Sequence, residues 1–264
     1  MDIDSLVTID PQRPRKLRGP LKTFLLQSFA QTCRKPIRLV QVGANDGKMA
    51  DPVYPFIAKG GWTGLLIEPH PIYFAELQAL HAGNSDLVLR NLAISDAPGS
   101  LELFHLNEAA RDRYPHGLRG CASLERGRME EALQRGKKRK NVTVREDDIA
   151  STQVEVRTLQ TVLKEEGLRQ VDIFVIDVEG HETRVLNSFN LKALKPKLMI
   201  IECNGSDVGD ENAIVGVMKE AGLRVSRFGD DLIGIRPGAI KIPMEAMLHF
   251  LAIAPLPPDD ASTD

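Results

Sequence analysis

The sequence predicts an α/β fold in which helices cover both faces of a mostly parallel β-sheet that ends in an antiparallel hairpin. Short runs of Val, Ile and Leu alternate with helix-like segments along most of the chain, which is typical of parallel strands joined by helical crossovers. The last two apolar runs are only a few residues apart. Because that gap is too short for a helical crossover, these two strands are expected to pair as a hairpin. The chain has 264 residues, 42% of them hydrophobic, which is enough for one sizeable domain with a buried core.

The expected elements follow a regular strand–helix order, with no internal repeat and no second domain. Residues 1–36 form a polar, proline-containing arm and an amphipathic helix over 21–32, residues 37–254 form the main domain, and residues 255–264 form a disordered tail. The expected strands of the main sheet lie at 37–42, 63–67, 87–90, 171–176, 198–201, 224–228 and 232–235. The helices expected between them lie at 71–81, 181–188 and 211–221.

One basic segment interrupts this order. Residues 107–150 are rich in glycine and arginine, and between Arg126 and Arg145 there are eight basic residues and two acidic ones. We expect a structureless insertion, either a solvated, mobile loop or a lid that attracts an anionic substrate. The formal charge of the whole chain is −2, and no aromatic residues are interleaved with the basic run. Nucleic-acid binding is therefore not expected.

Other features of the sequence concern the cell compartment. No apolar run approaches the roughly 18 residues needed to span a bilayer, and the N-terminus lacks the apolar core of a signal peptide. Cys33, Cys121 and Cys203 are far apart and make no C-x-x-C pair, so we expect buried or incidental thiols in a reducing environment. These features favour a cytoplasmic protein without a membrane span and leave the oligomeric state open.

The first strand ends in a glycine-rich turn. In open α/β sheets, ligands bind beyond the carboxyl ends of the strands, where the strand order reverses, so polar residues at strand ends are the candidate ligand contacts. At the end of the first strand, the candidate ligand contacts are Gly43, Ala44, Asn45, Asp46 and Gly47. Glycine permits tight turning and close approach of the backbone to a ligand. The pattern is G-x-x-x-G rather than G-x-G-x-x-G, and taken alone it also fits an ordinary strand–helix connection.

The second and third strands end in residues that suit a nucleoside. Glu68 and Pro69 follow the second strand, and Glu68 lies twenty-one residues after Gly47. A carboxylate at this place can accept two hydrogen bonds from a ribose diol. Asn91 and Ala93 follow the third strand, where short side chains can border an adenine, although a simple Asx or Ser turn explains them nearly as well. The first two strand ends, taken in register, indicate a nucleoside-containing ligand.

The fourth and fifth strands end in a group of acidic and polar residues. Its members are Asp177, Glu179, His181, Glu182, Glu202 and Asn204. Several ionisable groups directly after an apolar strand are costly to place, which indicates a functional site, although acids also suit the first turn of a helix. The oxygen-bearing side chains at 177, 202 and 204 can converge on Mg²⁺ or on a substrate hydroxyl. We favour the hydroxyl and expect no bound metal.

Four motifs together resemble the FkbM family of S-adenosylmethionine-dependent methyltransferases. They are V-G-A-N-D-G at 42–47, I-E-P at 67–69, N-L-A-I-S-D at 91–96 and I-D-V-E-G-H-E at 176–182, and the last is the most specific. The resemblance covers roughly residues 37–204 and implies a Rossmann-like class I methyltransferase fold with a seven-stranded sheet. It also implies O-methylation of a hydroxyl, often on a sugar or polyketide-type product. The long basic insertion departs from the compact family pattern.

The resemblance further implies a role for individual residues. S-adenosylmethionine would have its methionine part along the glycine turn, its ribose hydroxyls at the carboxylate of the I-E-P motif, its adenine beside the N-L-A-I-S-D motif and its sulfonium beside the acidic turn. The residues assigned to it in this way are Gly43, Ala44, Asn45, Asp46, Gly47, Glu68, Pro69, Asn91, Ala93 and Asp177.

Methyl transfer to a hydroxyl also benefits from a general base. His181 is the first candidate and Glu179 the second, while Asp177 lies at the crevice itself; His105 and His116, which flank the insertion, are weaker candidates. We therefore predict O-methylation of a hydroxyl on a sugar, glycolipid or polyketide-type small molecule. The alternatives are a non-catalytic cofactor-binding scaffold and a nicotinamide-dependent oxidoreductase. The missing G-x-G-x-x-G and the terminal hairpin argue against the oxidoreductase.

Overall fold

The structure is a computed structural model that describes residues 18–118, 120–140, 142–203 and 208–251. The predicted arm up to residue 17, the candidate site residue Asn204 and the predicted tail over 255–264 lie outside the described residues. The chain divides into two compact units, Met1–Arg34 with Gly238–Asp264 and Lys35–Pro237. Within the described part, no helix has both the length and the apolar character that a membrane crossing requires.

The secondary structure follows the predicted order closely. The strands are β1 (Ile37–Val42), β2 (Trp62–Ile67), β3 (Leu87–Arg90), β4 (Ala93–Ile94), β5 (Gly99–Leu106), β6 (Ala122–Ser123), β7 (Ile149–Arg157), β8 (Ile173–Ile176), β9 (Leu198–Glu202), β10 (Arg224–Phe228) and β11 (Asp231–Ile235). The helices are α1 (Arg18–Thr32), α2 (Tyr54–Ala58), α3 (Pro71–Leu80), α4 (Arg126–Lys140), α5 (Leu159–Glu165), α6 (Glu182–Asn187), α7 (Leu191–Leu194), α8 (Val208–Glu220) and α9 (Met244–Phe250). In the first unit, α1 and α9 pack through Phe24 and Phe250, whose ring centroids are 4.4 Å apart.

The main sheet has seven strands in the order β3-β2-β1-β8-β9-β11-β10. β1 pairs in parallel with β2 and β8, whereas β11 pairs antiparallel with both β9 and β10. The predicted, mostly parallel seven-stranded sheet with its C-terminal antiparallel hairpin is therefore confirmed. The strand order reverses at β1, because the chain first moves outward through β2 and β3 and then returns to β8 on the other side of β1.

The parallel strands of this sheet end at the same level. Val42 at the end of β1 pairs with Ile67 of β2 and with Ile176 of β8, and Ile176 pairs with Ile201 of β9. The residues that follow these strands therefore emerge side by side along one edge of the sheet. That edge contains the point of strand-order reversal, which is where α/β sheets bind their ligands.

Apolar packing on both faces fixes the sheet. The residues of β8 are all buried, and those of β9 are buried up to Ile201. One face packs against α5, α6 and α8 through a cluster that includes Val162, Val185 and Met218. Burial on both faces explains why these strands are near-continuous runs of Val, Ile and Leu rather than alternating patterns.

The segment predicted to be a structureless insertion is folded over much of its length. It is anchored by a second sheet in the order β4-β7-β5-β6, and α4 occupies 15 residues of the basic run. The expectation of an irregular loop is therefore wrong for residues 126–140. The helix is hard to recognise because most of its residues are polar; Met129 and Leu133, one turn apart, pack against Leu106 and Tyr114. A role as a lid remains a prediction.

A buried carboxylate fastens the far end of this insertion. The Asp148 side chain is 0% exposed and forms an ion pair with Arg113. It also accepts hydrogen bonds from the Tyr114 hydroxyl at 2.5 Å and from the Arg145 backbone N–H at 2.9 Å. A buried charge of this kind is tolerated only while its partners are complete.

Replacing Asp148 with Ala should lower the free energy of unfolding by about 3 kcal/mol, because the Tyr114 hydroxyl and the Arg113 guanidinium lose their buried partner. Urea unfolding followed by circular dichroism measures the effect. Asp147→Ala is the matched control, since Asp147 is exposed. Equal unfolding midpoints for the two variants would contradict the structural role of Asp148.

Candidate active site

The glycine turn after β1 touches the turn after β8 at the point of strand-order reversal. Gly43 has φ +84°, and a Cβ at this position would lie 1.8 Å from the backbone carbonyl oxygen of Asp177. The N–H groups of Gly43 and Ala44 both donate to the carbonyl of Ile67, at 2.9 and 3.0 Å. Glycine is therefore required at position 43 by the approach of two backbones as well as by the left-handed conformation.

The rest of this turn is held by its own side chains. Asn45 has φ +50°, and its side-chain oxygen accepts from the Asp46 N–H at 2.8 Å. The Asp46 carboxylate accepts from the N–H groups of Lys48 and Met49 at 2.8 and 2.7 Å. Asp46 thus has a local role in closing the turn, and its predicted contact with a cofactor remains a prediction.

Glu68, at the end of β2, is the most constrained carboxylate of the site. Its side chain is buried, and its two oxygens accept from the backbone N–H groups of Asn45 and His70, each at 2.8 Å. Burial raises the pKa of Glu68 to about 7, against the opposing effect of these two hydrogen bonds. Each carboxylate oxygen has two lone pairs, so both can accept one further hydrogen bond.

Asn91 and Ala93 shape the neighbouring turn. The Asn91 side-chain amide donates to the backbone carbonyls of Glu68 and Pro69, at 2.8 and 3.0 Å. Ala93 is buried and pairs in parallel with Val156 of β7. Asn91 therefore fixes the turn that carries Glu68, and the predicted contacts of Asn91 and Ala93 with an adenine remain predictions.

Asp177 follows β8, and it lies next to Glu202 at the end of β9. The third member of the predicted group, Asn204, lies outside the described residues. The carboxyl groups of Asp177 and Glu202 are hydrogen-bonded to each other, and burial, followed by the charges of Glu202 and Glu179, raises the pKa of Asp177 well above its usual range. Among the described residues, no group of three or more His, Cys, Asp or Glu side chains is arranged to hold a metal ion.

Glu179 lies in the same turn in an unusual backbone conformation. Its φ is +51°, a backbone angle that residues other than glycine rarely adopt. Its carboxylate accepts from the Cys121 thiol at 3.4 Å, and its carbonyl accepts from the Ser123 hydroxyl at 2.9 Å. Burial raises the pKa of Glu179, while the hydrogen bond from Cys121 and the charges of Arg135 and Arg128 oppose that increase.

His181 is directed away from these carboxylates. Its Nε2 lies 2.9 Å from the Ser95 hydroxyl, and its ring is buried. Burial, followed by the charge of Arg184, lowers the pKa of His181, so the imidazole is neutral near pH 7. Glu182 accepts from the N–H groups of Val178 and Gly180 and closes the turn. The structure thus brings Asp177, Glu179 and Glu202 together and places His181 beside Ser95.

The insertion supplies contacts that the sequence did not indicate. The Asn45 side-chain amide donates to the Gly120 carbonyl at 2.7 Å. Arg128 packs against Gly180, where an added Cβ would lie 2.7 Å from the Nε of Arg128. His105 contacts the His70 ring edge-on, with centroids 4.4 Å apart. No composition or spacing rule predicts such contacts between distant segments. The His116 side chain lies outside what the structure describes.

This sheet order, with one reversed strand and a glycine turn facing an acidic turn at the reversal point, is that of a Rossmann-like methyltransferase. The Methyltransferase FkbM domain matches residues 41–225, which is well over half of the chain. The chain therefore belongs to the FkbM methyltransferase family. Membership favours methyl transfer over the nicotinamide-dependent alternative.

Several solved structures match the chain at low sequence identity and with TM-scores below 0.5. Methyltransferase FkbM from Methylobacillus flagellatus KT is 12% identical with a TM-score of 0.45, and the match covers 88% of this chain and 56% of that one. The present chain thus spans little more than half of that protein. A SAM-dependent methyltransferase from Aquifex aeolicus is 13% identical with a TM-score of 0.35, over 86% of this chain and 97% of that one. The curated proteins compared with the chain gave no match.

Gly43→Ala should destabilise the protein more than Gly83→Ala, although both glycines have nearly the same φ, +84° and +82°. A Cβ added at Gly83 would meet no atom within 4 Å, so this replacement costs only the left-handed conformation, about 1–2 kcal/mol. At Gly43 the clash with the Asp177 carbonyl adds at least about 2 kcal/mol. Denaturant midpoints measure both, and equal losses would show that the two turns are not in contact.

Proposed function

We propose that this chain transfers a methyl group from S-adenosylmethionine to a hydroxyl oxygen of a sugar, glycolipid or polyketide-type small molecule. The observation that carries the proposal is the Glu68 carboxylate, held by two backbone N–H groups beside the glycine turn at the reversal point. A carboxylate in this place suits a ribose diol. The family assignment supports methyl transfer itself, and the cytoplasmic location remains a prediction.

The residues present fit a cationic, nucleoside-containing methyl donor. Glu68 retains lone pairs for the ribose hydroxyls, and the close contact of Gly43 with the Asp177 backbone brings the acidic turn next to the glycine turn. The acidic side chains of Glu179 and Glu202 lie close together at the same edge of the sheet, and negative charge there favours a positively charged sulfur. When bound, the donor supplies an activated methyl group, so the protein must chiefly align the acceptor and exclude water.

Glu179 is better placed than His181 to act as the general base. His181 is buried against Ser95, whereas Glu179 is half-buried next to Asp177 and Glu202. Burial, followed by the charges of Glu202 and Glu179, raises the pKa of Asp177 well above its usual range, and the Asp177 carboxyl is already hydrogen-bonded to Glu202. Asp177 is therefore a less suitable acceptor for the proton. When the methyl carbon leaves the donor sulfur and bonds to the acceptor oxygen, with S-adenosylhomocysteine as the leaving group, the Glu179 carboxylate would take the hydroxyl proton and then release it to water.

Glu68→Gln should weaken binding of S-adenosylhomocysteine by about 10- to 100-fold, because one charged hydrogen-bond acceptor is lost. Titration calorimetry measures the affinity, and Glu76→Gln on the exposed side of α3 is the matched control.

The same carboxylate predicts a pH dependence. The pKa of Glu68 is raised to about 7, so the wild-type protein loses its ionised acceptor, and with it affinity for the ligand, as the pH falls below about 7. In Glu68→Gln this dependence should disappear. Unchanged affinity in the variant, at any pH, would remove Glu68 from the site.

Glu179→Gln should decrease kcat by roughly 100-fold or more, which is the usual contribution of a general base, with little effect on S-adenosylhomocysteine affinity. Release of S-adenosylhomocysteine over a panel of neutral and anionic sugars, glycolipids and polyketides measures the rate. His181→Gln serves as the comparison and should decrease kcat much less. An equal loss of kcat in His181→Gln, at an unchanged melting temperature, would identify His181 as the base instead.

A further inference from the structure

The loop that precedes α4, residues 120–123 including β6, contacts the acidic turn after β8. The Cys121 thiol donates to the Glu179 carboxylate at 3.4 Å, and the Ser123 hydroxyl donates to the Glu179 carbonyl at 2.9 Å. Next to Cys121 in this loop, the Gly120 carbonyl accepts from the Asn45 side chain at 2.7 Å. The loop therefore joins the glycine turn of β1 to the acidic turn of β8.

The charges around Glu179 are arranged in two opposing sets. On the sheet side, the carboxyl groups of Asp177, Glu182 and Glu202 lie near Glu179. On the insertion side, Cys121 donates a hydrogen bond while Arg128 and Arg135 contribute positive charge. Burial and the nearby carboxylates raise the pKa of the Cys121 thiol, so the thiol stays protonated and remains a donor.

The backbone at Glu179 also depends on this loop. The residue has φ +51°, a conformation that costs free energy and persists only where surrounding contacts enforce it. The Ser123 hydroxyl fixes its carbonyl, and Arg128 packs against the next residue, Gly180. Contacts from Ser123 and Arg128 thus stabilise the strained backbone at Glu179. These contacts indicate that the Glu179 carboxylate has a defined orientation.

We infer that Cys121 and Ser123 are positioning residues, which hold the Glu179 carboxylate in place to take the proton from the acceptor hydroxyl. This inference rests on the proposed function, in which Glu179 is the general base. It makes the insertion part of the reaction site, because the sheet alone surrounds Glu179 with acids that oppose its ionisation. The Cys121 hydrogen bond and the two arginines offset that opposition.

The test is the pH profile of kcat/KM for Cys121→Ala, Cys121→Ser and the control Cys33→Ala, whose cysteine lies in the other compact unit. Cys121→Ala removes a hydrogen bond that favours the ionised carboxylate, so the acid limb should move to higher pH. On that limb, kcat/KM should fall about threefold or more. Cys121→Ser restores a donor and should return the limb towards that of the wild type, whereas Cys33→Ala should leave it in place.

A second variant covers the case in which Cys121→Ala does not fold. Ser123→Ala should lower kcat while the KM of the acceptor changes less than about twofold, because the base is misplaced but the acceptor site is intact. An acid limb that is identical in wild type and Cys121→Ala, or a Ser123→Ala variant with wild-type kcat, would overturn the inference.

The outcome for Glu179→Gln separates this inference from the proposed function. If Glu179→Gln is inactive and the acid limb of Cys121→Ala does not move, then Glu179 is the base but Cys121 does not position it. If Glu179→Gln keeps wild-type kcat, Glu179 is not the base. In that case the positioning role of Cys121 is wrong as well.

Discussion

The contact between the turns after β1 and β8 is the constraint on which the rest of the site depends. A Cβ at Gly43 would lie 1.8 Å from the carbonyl oxygen of Asp177, so the two turns can meet only if one of them has no side chain at that point. The meeting is possible because Val42 and Ile176 end their strands in register. Glu68 joins the same edge because Ile67 is in register with Val42. Strand register thus decides which polar side chains can act together.

The second physical theme is how buried carboxylates are kept at this edge. An isolated buried carboxylate is costly, and each one here is stabilised differently. Glu68 accepts from two backbone N–H groups, and the Asp177 carboxyl is hydrogen-bonded to that of Glu202. Glu179 accepts from Cys121 of the insertion and lies near the charges of Arg128 and Arg135. The three carboxyl groups therefore have different hydrogen-bond partners. A site in which one acid binds a ligand and another accepts a proton needs its acids in different surroundings.

Much of the sheet could be predicted from the sequence because it follows from local patterns. β1, β3 and β10 begin and end where the apolar runs indicate, and the short gap before β11 required the hairpin. The alignment of Gly43, Glu68 and Asp177 also followed, since the carboxyl ends of parallel strands lie along one edge.

The insertion could not be predicted in the same way. Among the side chains of α4 that the structure describes, those of Met129 and Leu133 are buried. Most residues of the helix are polar, so its composition resembles that of a loop. Within the insertion, Cys121 contacts Glu179 and Arg128 contacts Gly180. These residues are more than fifty positions apart in the sequence, and no local pattern encodes the contacts. The orientation of His181 towards Ser95 depends on the same kind of long-range packing. The sequence places His181 next to the acidic residues but does not show where its ring points.

A crystal structure of the protein with S-adenosylhomocysteine is the most direct measurement of the central claim. The ribose hydroxyls should lie within about 3.2 Å of the Glu68 carboxylate, with the sulfur on the side of Asp177 and Glu179. A ligand that binds with its ribose away from Glu68, or crystals that show no ligand at saturating concentration, would contradict a methyl-donor site at the junction of β1 and β8.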